Sequence, residues 1–204
     1  NALGVNTTAH NNTAMGHRSL QANTSGTPNT AVGFESLKAN TTGSNLVAFG
    51  AGALLANTTA SNNTAIGRFA MAVNTTGHES VAVGTNALYS NTTGPTNVAV
   101  GYTALFANTT GGQNVGVGFE ALGDNTTGAD NVAIGYRALD LNTTGSHNVA
   151  VGRDALGATT TASYNTAIGR DSLLANTTGE RNVAVGYNTL RNITNQNSNV
   201  AVGY

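Results

Sequence analysis

The chain has 204 residues, a formal net charge of −1 and only 8% charged side chains. Its eight Lys and Arg are scattered, without the basic stripe of a nucleic-acid binder, and disorder usually combines low hydrophobicity with a high net charge that is missing here. Cysteine is absent, which excludes disulfides and thiolate metal sites, and no apolar run approaches the ~20 residues that cross a bilayer as a helix.

A single spacing governs what remains. Variants of Asn97-Val98-Ala99-Val100-Gly101 return every 17 residues, closing on Gly16, Gly33, Gly50, Gly67, Gly84, Gly101, Gly118, Gly135, Gly152, Gly169, Gly186 and Gly203 with no insertion or deletion. An unbroken period of this kind marks a solenoid, in which each repeat contacts only its neighbours. The expected fold is all-β: a parallel β-solenoid or β-roll of about twelve 17-residue coils, with residues 1–204 forming one array. Asn1 would follow Tyr204 in register and no polar capping repeat closes either end, so the array reads as a segment of a longer fibre.

Repeat positions are numbered from the residue four before the glycine. Position 2 is Val or Thr, position 3 is Ala except at Gly116, and position 4 is large and apolar, from Met15 and Val32 to Val202. Strand alternation places positions 2 and 4 on one face and position 3 on the other, and the β-branched residues favour a strand. Val98 and Val100 are expected to fill the coil, Asn97 to start the strand and Gly101 to break it. After two variable residues come a small residue at position 8 and Leu or Met at position 9, from Leu20 to Leu190. Positions 9 and 11 would share a face in an extended segment, so a second strand facing the first is expected there. Asn-Thr-Thr-Gly, as in Asn108-Thr109-Thr110-Gly111, supplies the closing turn.

On this reading the position-3 row points out of the coil: Ala14, Ala31, Ala48, Ala65, Ala82, Ala99, Gly116, Ala133, Ala150, Ala167, Ala184 and Ala201. A face held to Ala or Gly admits close backbone approach. Either a neighbouring strand of the same chain or another subunit could supply that backbone, and a subunit interface is the favoured reading. Ala99→Leu is then expected to disturb assembly.

Asn-Val-Ala-Val-Gly with the small residue that follows and the Asn-Thr-Thr-Gly turn resembles the head repeat of YadA-like trimeric autotransporter adhesins, best at Val98–Gly101, Val132–Gly135 and Val149–Gly152. The resemblance runs the length of the chain, although that family repeats every 14 residues rather than 17. It implies a left-handed parallel β-roll, a homotrimer around one axis, an extracellular or cell-surface place, and a host surface, matrix or glycan as partner. Repeats of this kind are also similar to stretches of phage tail fibres, which implies a virion fibre shaft as the alternative.

No catalytic constellation stands out, so no enzyme activity and no cofactor are expected. His10, His17, His78 and His147 fall at three different repeat positions in coils mostly far apart, and Asp154 and Asp171 stack beside Arg153 and Arg170 as a surface charge ladder. No phosphate-binding glycine loop or Ca²⁺-binding nonapeptide occurs. Rows of Thr raise ice binding, but adjacent Thr residues in a strand face opposite ways, and the alternative is stacked Asn and Thr side chains hydrogen-bonding along the axis. Asn-x-Thr sequons at Asn40, Asn74, Asn91, Asn108, Asn125, Asn142 and Asn176 read either as turns or as glycan acceptors, with turns favoured. The position-6 column Phe34, Tyr102, Phe119, Tyr136, Tyr187 and Tyr204 could bind sugars or a host surface, although its Arg and Thr members suit a partly exposed ledge better. The resulting expectation is a non-catalytic structural and adhesive fibre segment without nucleic-acid or membrane contact of its own.

Overall fold

The computed structural model describes all 204 residues, Asn1–Tyr204. It contains twelve short strands and no helix: β1 (Thr13–Met15), β2 (Asn29–Val32), β3 (Leu46–Phe49), β4 (Thr64–Ile66), β5 (Val81–Val83), β6 (Val98–Val100), β7 (Val115–Val117), β8 (Val132–Ile134), β9 (Val149–Val151), β10 (Thr166–Ile168), β11 (Val183–Val185) and β12 (Val200–Val202). They form one parallel sheet in sequence order. Register follows the repeat, with Val98 beside Val115, Ala99 beside Gly116 and Val100 beside Val117. The chain is thus a parallel β-solenoid with one strand per coil.

The strand faces the opposite way from the sequence expectation. Position-3 alanines from Ala31 to Ala184 are fully buried within the single chain, and Gly116 is buried with them. Positions 2 and 4 are half-buried or exposed in every strand. Leu105 explains the inversion. It enters the coil from the opposite wall, and a Cβ built on Gly116 would lie 3.3 Å from the Leu105 Cγ. The gap between strand and leucine therefore holds a methyl group and little more, so a valine would overfill it. Each inner coil has a large inward side chain at position 9 and small residues at positions 3 and 8, and polar residues close most of the remaining corners, with Leu46 at position 1 as an apolar exception.

The expected second strand is absent. Positions 6–11 form consecutive turns, with φ of 51° at Thr103 and 53° at Leu105. A residue with a Cβ costs about 1–2 kcal/mol in this left-handed region, and the conformation recurs at position 9 in each coil from Leu20 to Leu190. The corner persists because its neighbours over-determine it: the Leu105 N–H donates to the Ala121 carbonyl at 3.0 Å, and the Ala107 N–H donates to Gly123 at 2.9 Å. Leu105 turns inward while position 11 stays half-exposed in most coils.

Gly101 ends its strand as expected, combining a left-handed φ with close backbone approach. Its φ is 138°, and an added Cβ would meet the Gly118 carbonyl oxygen at 2.3 Å. Of 129 backbone hydrogen bonds, only 24 lie within the strand ladder. The rest lie in the turns and at the strand ends, and include bonds within a coil, such as Asn108 N–H to Leu105, as well as bonds between coils.

Candidate functional site: the outer sheet face and the inner asparagine columns

Alternation turns every position-2 and position-4 side chain outward once Ala is inside. Twelve parallel strands then present two adjoining rows, including Val98 and Val100, Val115 and Val117, and Val132 and Ile134. Ile66, Ile134 and Ile168 are each about 40% exposed, and Phe49 reaches 56%. At about 4.8 Å per strand the rows run about 53 Å. With a width of about 10 Å, the strip covers on the order of 500 Å², near the upper end for the largest apolar patch of a monomer.

The residues proposed from sequence as a subunit interface lie elsewhere. Ala31, Ala48, Ala65, Ala82, Ala99, Ala133, Ala150, Ala167 and Ala184 are sealed inside their own coils, as is Gly116. Ala14 in β1 and Ala201 in β12 are half-buried, because those strands have one neighbour each. A side chain enclosed by its own coil offers no contact to another chain.

Two polar columns replace the apolar filling expected inside. From Asn40 to Asn142, each position-12 Asn donates one Nδ2 hydrogen to the Oδ1 of the Asn one coil before and the other to the carbonyl three residues on. Asn108 reaches Asn91 at 2.9 Å and Gly111 at 2.9 Å. The column is continuous from Asn23 to Asn142. At position 1 the Asn97 Oδ1 accepts from the Asn114 backbone N–H at 2.9 Å, while its Nδ2 donates to the Gly111 carbonyl at 2.8 Å. Both columns thus converge on one carbonyl per coil. Buried amides are tolerated because their hydrogen-bonding groups are met.

The sequon asparagines Asn40, Asn74, Asn91, Asn108, Asn125, Asn142 and Asn176 all belong to the position-12 column and are fully buried. The first Thr of each turn is also engaged: Thr109 Oγ1 donates to the Thr126 carbonyl at 3.0 Å. Only the second Thr, as at Thr110, is exposed, so these turns present one Thr row to water.

At position 6, Tyr102, Phe119 and Tyr136 stack at centroid separations of 5.4 and 5.2 Å, and Arg153 covers the outer face of Tyr136 at 5.4 Å. Their faces contact one another, leaving mainly ring edges for a ligand. The four histidines are exposed; His17 stacks on Phe34 and His147 on Tyr164. No three His, Cys, Asp or Glu side chains are grouped to hold a metal ion. Arg153 pairs with Asp154 at 2.9 Å and Arg170 with Asp171 at 3.4 Å.

Comparison with protein-family models, curated protein sequences and solved structures returns no match.

Proposed function

We propose that the chain is a non-catalytic structural segment of an extracellular fibre, in which copies pack their outer sheet faces around a shared axis. The observation that carries this reading is the position-4 row of large apolar side chains, unbroken from Met15 to Val202, flanked at position 2 by Val in eight strands and Thr in four. Burial of such a strip stabilises association by about 25 cal/mol per Å² removed from water, before the costs of association. Three copies is the number implied by the resemblance to trimeric autotransporter heads, and an adhesive role at a host surface comes from the same resemblance. The interface in this proposal is the Val and Ile face, in place of the Ala row.

A paired substitution, Val100→Lys with Val117→Lys, tests it. Both side chains are already partly solvated, so each coil should fold while packed faces acquire unpaired charge. Native mass spectrometry is expected to show a trimer for the parent chain and a folded monomer for the variant. A parent that stays monomeric at high concentration would sink the proposal, as would a variant that still assembles.

A further inference from the structure

On the side wall of the solenoid, position 10 carries Tyr89 and Phe106, stacked at 5.4 Å, and then Gly123, Asp140, Gly157 and Leu174. The two missing side chains leave adjoining hollows on either side of Asp140, with volumes of about 220 and 390 Å³. Phe106 and Leu141, 37% and 40% exposed, give the first hollow its apolar walls.

Its polar lining is unbalanced in charge. Arg137 binds the Oδ2 of Asp140 through Nε at 2.8 Å and Nη2 at 2.6 Å, and lies 3.4 Å from Glu120. Asp124 is exposed on the same rim. Three carboxylates therefore face one guanidinium. Asp140 is only 7% exposed, yet its Oδ1 leans into the space left by Gly123, 2.8 Å from where a Cβ would stand. Thr103 lines this hollow with a buried Oγ1 that has no hydrogen-bond partner. Burial pushes the Asp140 carboxyl above its ordinary range, outweighing the Arg137 hydrogen bond that pulls it down.

We infer that the hollow beside Gly123 is a binding site for a primary ammonium group on a short alkyl stem. The ammonium has three donors and no acceptor, which suits the Asp140 Oδ1 and the Asp124 carboxylate. Its stem lies against Phe106 and Leu141, and an aromatic wall adds a cation–π contribution. A neutral ligand would leave the carboxylate excess uncompensated. The site stands independently of how copies of the chain associate.

Amide NMR titration of the full chain tests the inference, using n-butylamine as the small-molecule source and Nα-acetyl-lysine methylamide as the side-chain source. Saturable shifts confined to Thr103, Phe106, Gly123, Asp124, Asp140 and Leu141 are expected with both probes if the site reads the alkylammonium alone. They are expected with only the second if it also needs the flanking amides. Asp124→Asn should weaken binding roughly tenfold, as loss of one ionic partner implies. Gly123→Leu, which keeps every charge and places at position 10 a residue the chain already carries there at Leu55 and Leu174, should abolish it. No confined shift with either probe would overturn the inference, as would unchanged binding to Gly123→Leu or equal shifts with n-butanol.

Discussion

Asn142 and Asn176 each hold a buried side-chain oxygen without a partner. The cause is visible one coil further on, where Thr159 and Ile193 stand in register with the position-12 asparagines. Thr159 sends its hydroxyl to the Asn176 carbonyl at 2.9 Å and has no amide hydrogen for Asn142. An unmet buried acceptor costs about 1–3 kcal/mol. Thr159→Asn should therefore raise stability by about 1–2 kcal/mol, read as a higher denaturation midpoint with an unchanged slope; a lower midpoint would count against the column as a stabilising device. Ala99→Leu acts on the same interior. Adding bulk against the opposite leucine should cost about 1–3 kcal/mol or more, and the loss should appear in coil stability even where copies do not associate. Burial of the sequon amides gives a third outcome. A post-translational N-glycosyltransferase should modify Asn108 in the denatured chain and leave the folded chain untouched, as intact mass can show; efficient modification of the folded chain would mean that the column opens readily.

At the scale of one coil, the period, strand position and parallel register were legible because β-branched residues and glycine recur at fixed offsets. Alternation shows which residues share a face and is silent on which face is inside. Two cues could have decided it. Position 2 accepts Thr at Thr13, Thr30, Thr64 and Thr166, and position 4 accepts Met15, Phe49, Val100 and Ile134, a range of volumes no tight interior would admit. Constant Ala at position 3 marked the crowded wall rather than the open one. The second strand failed for a different reason. Left-handed turns at Leu105 and its counterparts break local preference for L-residues, and only the axial hydrogen bonds around them make that conformation stable. The asparagine column was legible as an axial ladder, because identical amides stack in register along a parallel array, but its burial was not, since an exposed turn residue and a buried hydrogen-bonding column share the same letter. The hollow beside Asp140 arises from which position-10 side chains are missing, and a search for recurring motifs passes over such gaps.

At the scale of the whole molecule, coils add without a central core, so stability should be nearly a sum of coil and nearest-neighbour contributions. Deleting residues 97–113 removes one coil and joins Thr96 to Asn114 in register. The shortened chain should fold with the same circular dichroism and cooperative melting. Deleting Gly112 alone should lower the melting temperature far more, because every later column slips against the earlier ones. Equal damage from both deletions would show that the register is softer than the hydrogen bonds imply.

The axial bonds between equivalent residues, from the Asn108 amide to the Asn91 side chain and from the Thr109 hydroxyl to the Thr126 carbonyl among them, join residues 17 apart. Such a chain can change length only in whole steps, each about 4.8 Å. Duplication or loss of one repeat leaves the cross-section and outer surface as they were. The array is in effect a graduated ruler, whose length can be reset by copying one unit.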